Sequence, residues 1–217
     1  MSKSFWGVII AIVVVLGGIF WITNNKNTST TTSAKPTSHI EGQGKANVTL
    51  VEYGDYECPF CGQVYPIVKQ VQQEYNTQLF YQFRNLPLSS IHRNAFAAAR
   101  AAEAAALQNK FWEMHDLLYQ NQDPNGASGW FASNDVLNNY FVGYAQQLGL
   151  NVAQFKSDFA SNKVNDAINA DVAAFVKTGA QEATPTFFLD GKQIQPADTV
   201  ASFEKIINAE IAAKAKQ

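Results

Sequence analysis

Cysteine is scarce in this chain of 217 residues, which contains only two. Two thiols cannot build a disulfide-dense small scaffold, and they cannot supply the sulfur ligands of a four-cysteine zinc site. An excess of charge of one sign is also lacking, because 16 Lys and Arg residues nearly balance 18 Asp and Glu residues. No strong basic field is therefore available to neutralise phosphates, and we do not expect nucleic acid as a partner. The sequence also lacks internal repeats, which excludes a solenoid.

Apolar residues are abundant, and one stretch of them is long. Hydrophobic residues make up 47% of the chain, enough to bury a sizeable core and too many for a mostly disordered protein. Residues 5–22 (FWGVIIAIVVVLGGIFWI) contain no charge. At about 1.5 Å per residue this run spans roughly 27 Å, close to one bilayer core. Trp6 and Trp21 lie near its ends, where the headgroup region favours aromatic rings.

We predict that residues 5–22 form an uncleaved transmembrane signal-anchor that follows a cytoplasmic N-terminus at residues 1–4. The run is longer than a signal-peptide core of about 7 to 15 residues, and no A-x-A cleavage site follows it. Residues 23–45 are rich in Thr, Ser and Asn, and we predict a disordered tether there. The remaining domain, residues 46–217, is then expected on the extracytoplasmic side of the cell membrane.

Hydrophobic periodicity in the domain predicts an α/β fold. The predicted elements are a strand at 47–53, a helix at 59–75, a strand at 78–83, a helical segment at about 91–178, a hairpin of strands 186–189 and 192–194, and a helix at 200–213. This order is a βαβ unit, a helical insertion and a ββα unit. Because a parallel pair needs a crossover helix and a hairpin is antiparallel, we expect one mixed sheet with helices on both faces.

The two cysteines lie between the first strand and the first helix, as Cys58-Pro59-Phe60-Cys61. A thiol at a helix N-terminus meets free N–H groups and the positive end of the helix dipole, which lower its pKa. We therefore predict Cys58 as the nucleophile and Cys61 as the buried thiol that resolves a mixed disulfide. Two other interpretations remain open. A structural disulfide would close a very small loop, and half of a metal site would need histidine ligands from elsewhere.

Several motifs together resemble the DsbA-like thiol–disulfide oxidoreductases of the thioredoxin superfamily, and specifically their membrane-anchored bacterial members. The resemblance covers about residues 47–213. Its motifs are the strand–ECPFC–helix at 57–61, the helical insertion, ATPTF at 183–187, FWEMHD at 111–116 and FRNLP at 83–87 followed by His92. The resemblance implies a thioredoxin fold with a helical insertion, preceded here by the predicted transmembrane helix.

The resemblance also assigns roles to single residues. Pro185 is expected to be cis and to lie beside Cys58, so that the backbone of Thr184 and Pro185 binds an extended substrate peptide. Glu52 lies six residues before Cys58 and matches a buried acid that assists proton transfer at the cysteines. By strand alternation it shares a face with apolar residues, which would raise its pKa. A solvated carboxylate at the end of the strand is the alternative for Glu52.

One position departs from the family pattern. Strongly oxidising members have His at the second position between the cysteines, whereas this chain has Phe60. We predict a less oxidising pair, because a phenyl ring offers the thiolate neither positive charge nor a conventional hydrogen bond. Phe60 and Tyr56 are predicted to form an apolar platform for unfolded substrate. His92 and His115 are expected to be packing residues, and His39 is expected to be solvated.

These observations predict an extracytoplasmic thiol–disulfide oxidoreductase that forms disulfides in exported proteins. It would need no metal and no cofactor beyond the redox-active pair Cys58–Cys61. Its expected partners are unfolded or reduced exported proteins and a membrane redox partner that resets the cysteines. The alternatives are a reductase or isomerase of exported proteins, a tethered chaperone or peptide-binding module, and a thiol metallochaperone.

Overall fold

The computed structural model describes residues 34–123 and 129–216. The predicted anchor at 5–22 and the first part of the predicted tether, residues 23–33, lie outside the described residues. In the part of the chain that is described, no helix is long and apolar enough to cross a membrane.

The regular elements follow the predicted order closely. They are β1 (His39–Glu41), β2 (Val48–Gly54), α1 (Pro59–Glu74), β3 (Leu79–Asn85), α2 (Ala95–Ala106), α3 (Phe111–Gln120), a 3-10 turn (Trp130–Ala132), a π-helical turn (Leu137–Phe141), α4 (Val142–Gln147), α5 (Val152–Phe159), α6 (Asn162–Thr178), β4 (Thr186–Leu189), β5 (Lys192–Ile194) and α7 (Val200–Lys214).

The strands form one mixed sheet in the order β1-β3-β2-β4-β5. β2 and β3 are parallel and are joined through α1, as the βαβ prediction requires. β4 is antiparallel to both β2 and β5, and the hairpin turns at Asp190-Gly191, where both residues have positive φ. β2 pairs with β3 along its whole length. This pairing fixes the carboxyl end of β2, from which a short loop leads into α1.

Helices cover both faces of the sheet. Val48 and Leu50 of β2 are fully buried in the main cluster, together with side chains of α1, α3 and α7. The alternate residue Tyr53 faces a second cluster with Phe175 of α6 and Phe188 of β4. This alternation follows from the period of two in a strand. It places Glu52 on the same face as Val48 and Leu50, under α1.

The helical insertion occupies residues 95–178, close to the predicted 91–178. Alanine forms much of α2, and most of its alanines are buried, so their small side chains let neighbouring helices approach closely. The side chain of Asn151 accepts a hydrogen bond from the N–H of Gln154 at 3.0 Å and begins α5.

The prediction of a disordered tether up to residue 45 is wrong for its last part. Residues 39–41 form strand β1, which pairs antiparallel with β3 at the edge of the sheet. The expectation that His39 is solvated is also wrong. Its ring stacks on Phe111 with centroids 3.5 Å apart, and its Nε2 lies 2.8 Å from Glu103 Oε1. A strand of three residues has too short a pattern to be recognised, and its position depends on partners distant in sequence.

Candidate active site

Cys58 lies at the N-cap of α1, where the chain changes from extended to helical backbone. Its φ of −72° and ψ of 120° are extended, and Pro59 begins the helix. Pro is well suited to this place because the first N–H groups of a helix have no partner within the helix. The N–H groups of Phe60 and Cys61, in the first turn, donate hydrogen bonds to the Cys58 sulfur and lower its pKa.

The Cys58 thiol is acidic. Its pKa is lowered to about 6, mainly by a hydrogen bond from the thiol of Cys61, while burial opposes the shift. The protonated Cys58 thiol donates to the carbonyl oxygen of Thr184 at 3.4 Å. The Thr184 hydroxyl has no other partner in the described part of the chain, and it favours the thiolate.

The second thiol behaves in the opposite way. Cys61 is fully buried, and burial raises its pKa well above the usual range. Its hydrogen bond to Cys58 and the negative charge of the Cys58 thiolate raise that pKa further. Both cysteines are in the reduced form in this structure. Near neutral pH the pair therefore consists of one thiolate at Cys58 and one thiol at Cys61.

Glu52 is a buried carboxyl group close to this pair. It is 4% exposed, and its Oε2 accepts a hydrogen bond from the Tyr81 hydroxyl at 2.7 Å. Burial raises its pKa to about 7, against the lowering effect of the Tyr81 hydrogen bond, and the negative charge of Cys58 adds to the rise. Glu52 can therefore gain or lose a proton in the neutral pH range.

A cleft runs beside the cysteines. The Thr184–Pro185 peptide bond is cis, as the family resemblance implied, and Thr184 contacts the Cys58 sulfur. The cleft has a volume of about 330 Å³ and is lined by Phe60, Pro185, Ile194 and other residues of the β4–β5 region. The Phe60 side chain is 62% exposed on its rim.

A family model described as thioredoxin matches residues 34–209. The chain belongs to the thioredoxin family.

Solved structures share the fold of this thioredoxin-family chain at low sequence identity. Oxidised BdbD from Bacillus subtilis aligns with a TM-score of 0.68 at 22% identity, over 83% of this chain and 97% of that chain. A thioredoxin-like oxidoreductase from Silicibacter pomeroyi DSS-3 gives 0.66 at 24% identity, over 81% and 93%. The thiol-disulfide exchange protein alpha-DsbA2 from Wolbachia pipientis gives 0.65 at 18% identity, over 79% and 86%.

Curated relatives with higher identity are much longer proteins. The Na(+)/H(+) antiporter NhaA 3 of Salinispora tropica is 41% identical over 155 residues, which are 71% of this chain and 22% of that protein. NhaA 1 of Mycolicibacterium gilvum is 37% identical over 178 residues, which are 79% of this chain and 26% of that protein. The chain thus spans about a quarter of the length of these relatives.

The thioredoxin-family fold brings most of the predicted site residues together. Thr184 contacts Cys58 directly, and the charge of Glu52 acts on Cys61. Pro185 and Phe60 line the adjoining cleft.

Tyr56 corrects the prediction of an exposed platform formed with Phe60. Its side chain is 1% exposed, and it packs against Phe83 and Tyr119. Its hydroxyl lies 3.1 Å from His115 Nδ1. The chain turns inward between β2 and α1, so Tyr56 points into the core while Phe60 points outward. His115 is 2% exposed and its pKa is lowered by burial, which confirms it as a packing residue.

Sequence reasoning missed two acidic residues that closely precede the first cysteine. Asp55 accepts hydrogen bonds from the N–H of Leu88 at 2.9 Å and from the ring Nδ1 of His92 at 2.7 Å. Glu57 accepts one from the N–H of Asn94 at 2.5 Å, at the start of α2. These bonds hold the cysteine loop against residues 88–94, which lead into α2. The signal was the acidic pair itself in the segment DYEC at 55–58.

Proposed function

We propose that this chain is a thiol–disulfide oxidoreductase that acts on exported proteins. The observation that carries the proposal is the opposite displacement of two thiol pKa values at one helix N-terminus. The pKa of Cys58 is lowered to about 6, and the pKa of Cys61 is raised well above its usual range. A reactive thiolate beside a protonated, buried partner is the arrangement that disulfide exchange needs.

In the oxidising direction the reaction begins with the pair as a disulfide. A substrate thiolate attacks the Cys58 sulfur, the Cys58–Cys61 bond breaks, and Cys61 leaves with the electron pair. A second substrate thiolate then attacks the substrate sulfur of the mixed disulfide and releases Cys58 as a stabilised thiolate. The substrate loses two electrons and the cysteine pair gains them. A membrane redox partner must remove these electrons before the next cycle, and no other cofactor is proposed.

Glu52 has the properties required to handle the proton of Cys61. A buried thiolate leaving group is costly unless it is protonated as it forms. With its pKa raised to about 7, Glu52 is partly protonated at neutral pH and can give that proton to Cys61. In the reverse direction the ionised carboxylate would take it back.

The cleft beside the cysteines is the proposed binding site for the substrate chain. An extended peptide can pair with the backbone of Thr184 and Pro185, which is a form of β-strand addition. That pairing would bring a substrate sulfur close to the Cys58 sulfur, because Thr184 itself contacts Cys58. The exposed Phe60 ring on the rim offers apolar contact to an unfolded segment without selecting its sequence.

The acidity of Cys58 favours the oxidase direction over a reductase. A thiol pKa of about 6 lies between the values of about 7 for thioredoxin and about 3.5 for DsbA. A stabilised thiolate makes the pair more oxidising, so we expect a potential between about −270 and −120 mV. Extracytoplasmic compartments, where disulfides persist, suit such a pair.

Membrane attachment through residues 5–22 is part of the proposal. It is supported by the length of that uncharged run and by the Trp residues near its ends. Ion transport is not proposed for this chain, because it spans about a quarter of the relatives that are named as antiporters.

The test has two parts: the reduction potential of the Cys58–Cys61 couple of the unchanged chain in glutathione buffers, and the trapping of substrate by the single-cysteine variants Cys58→Ser and Cys61→Ser. We expect a value less negative than about −270 mV, the potential of thioredoxin. In Cys61→Ser that oxidised glutathione has converted to the Cys58–glutathione disulfide, a thiolate of a reduced, unfolded protein should displace glutathione and leave a stable mixed disulfide, which Cys58→Ser cannot form. A value near −270 mV would instead indicate a reductase. Capture of unfolded protein that persists unchanged in Cys58→Ser would indicate a chaperone and would overturn the proposal.

A further inference from the structure

We propose that the positive charge of His92 stabilises the Cys58 thiolate, and that the buried carboxylate of Asp55 holds the His92 ring in place for this role. His92 would thus supply the positive charge that the strongly oxidising family members obtain from a histidine between the cysteines, where this chain has Phe60. The inference rests on the proposed function, because it concerns the tuning of the same thiol pair. It is carried by the geometry around Asp55.

The His92 ring is held by a carboxylate that has no freedom to move. The Asp55 side chain is 0% exposed, and its Oδ2 lies 2.7 Å from His92 Nδ1 and accepts the N–H of Leu88 at 2.9 Å. Its Oδ1 accepts the N–H of Glu57 at 2.8 Å. An ionised carboxylate only accepts hydrogen bonds, so the imidazole Nδ1 must donate. The ring orientation is therefore set by a group that two backbone N–H groups already fix.

Asp55 also holds both cysteines. Its carbonyl oxygen accepts the N–H of Cys58 at 3.1 Å, which fixes the backbone at the start of α1. Its own backbone N–H hydrogen-bonds the sulfur of Cys61. A single residue thus contacts the backbone of Cys58, the sulfur of Cys61 and the imidazole of His92. The position of the imidazole is therefore tied to the loop that leads into α1.

The charges around this loop show why a cation matters. Asp55 and Glu57 place two carboxyl groups next to Cys58, and negative charge opposes the formation of a thiolate. The charges that act on His92 are those of Asp55, Cys58 and Glu57. His92 is the cationic group in this set, and its protonated form removes one unit of the local negative charge.

His92 keeps its charge to a higher pH than a free histidine. Its pKa is raised, first by the hydrogen bond to Asp55 and further by the charges of Asp55, Cys58 and Glu57. Because an electrostatic interaction is reciprocal, the thiolate that favours the imidazolium is favoured by it in turn. The two ionisations are therefore linked. A rise in pH that deprotonates His92 removes part of the support for the thiolate.

The test compares His92→Gln and His92→Lys with the unchanged full-length chain in its reduced form. Gln keeps a donor for Asp55 and removes the charge, whereas Lys keeps the charge. The measurement is the pKa of Cys58, followed by the ultraviolet absorbance of the thiolate. We expect His92→Gln to raise that pKa by about half a unit, about a threefold loss of thiolate on the acid side. His92→Lys should stay close to the unchanged chain.

His39→Gln is a closely matched control. The His39 ring also lies 2.8 Å from a buried carboxylate, that of Glu103, and its side chain is 17% exposed, as is that of His92. It belongs to β1, and Cys58 is not hydrogen-bonded to it. This variant changes the same kind of contact between an imidazole and a buried carboxyl group, on a different element from the cysteines. The Cys58 pKa should therefore remain unchanged.

The reduction potential gives a second readout. A threefold loss of thiolate stabilisation makes the pair more reducing by at most about 15 mV, from 29.6 mV for each tenfold change. A folded His92→Gln variant whose Cys58 pKa and potential equal those of the unchanged chain would overturn the inference and leave the proposed function intact. Exchange activity that survives Cys58→Ser would refute the function itself, so the two failures are distinguishable.

Discussion

Replacing Glu52 by Gln should change how the stability of the fold depends on pH. The carboxyl group is buried among apolar side chains, and burial raises its pKa from 4.5 to about 7. The folded state therefore holds this proton more tightly than the unfolded chain does. Between these two pKa values, folding of the unchanged protein requires the uptake of a proton, and a rise in pH opposes it.

The magnitude follows from the size of the shift. A difference of about 2.5 units corresponds to about 3 kcal/mol, at about 1.4 kcal/mol per unit. The destabilisation is absent below about pH 4.5, grows through the interval, and is complete above about pH 7. Gln at position 52 cannot ionise, yet its side-chain oxygen still accepts the hydrogen bond of the Tyr81 hydroxyl. Glu52→Gln should thus gain about 3 kcal/mol relative to the unchanged protein across this range.

Urea unfolding of the two reduced proteins at several pH values measures the effect. The quantity of interest is the difference between their free energies of unfolding, which cancels the contributions of groups that do not interact with Glu52. Glu74→Gln is the control, since Glu74 lies exposed on α1 and accepts a hydrogen bond from the Gln70 side chain, which Gln at this position can also accept. The pH dependence that Glu52→Gln shows is compared with that of this exposed substitution. If the difference for Glu52→Gln were also flat between about pH 4.5 and 8, the buried-acid argument would be refuted.

Three further predictions concern the same site. Tyr81→Phe removes the hydroxyl that lowers the pKa of Glu52, so that pKa should rise by about one unit, which an NMR titration of the carboxyl group would detect. Alkylation at about pH 7 should modify Cys58 at least about tenfold faster than Cys61 by peptide mass spectrometry, and equal rates would contradict the assigned roles. Phe60→Ser should change the free energy of unfolding by less than about 0.5 kcal/mol, because Phe60 is 62% exposed, and it should weaken the binding of unfolded substrate. A large loss of stability would refute the position of the Phe60 ring on the rim of the cleft.

Periodicity sufficed to predict most of the regular elements, although not β1. β2, α1 and α7 begin and end within about two residues of their predicted bounds, because their apolar residues recur with the period of a strand or a helix. The hairpin turn was equally clear, since Asp190 and Gly191 have the positive φ values that such a turn requires. The fold class follows from the order of these elements, because a crossover helix and a tight hairpin each permit one strand arrangement.

Features that depend on long-range contacts could not be predicted in this way. β1 exists because β3 offers it an edge, and residues 34–45 carry no pattern that reveals this. Tyr56 follows the strand by only a few residues, and the sequence does not tell whether the loop directs it inward. The bond between His92 and Asp55 joins residues 37 positions apart, so His92 was expected only to pack. In each case the deciding partner lies on a different element.

The difference between the two thiols has the same origin. Both have little exposed surface, 5% for Cys58 and 0% for Cys61, yet burial determines the pKa of Cys61 alone. At Cys58 hydrogen bonds outweigh burial, because the sulfur accepts bonds from the first turn of α1, from Cys61 and from the side chain of Thr184, which is 126 residues away. A C-x-x-C motif alone supplies only the helix N-terminus. The fold adds the return of the chain at Thr184 and the burial of Cys61, and these decide which sulfur carries the charge.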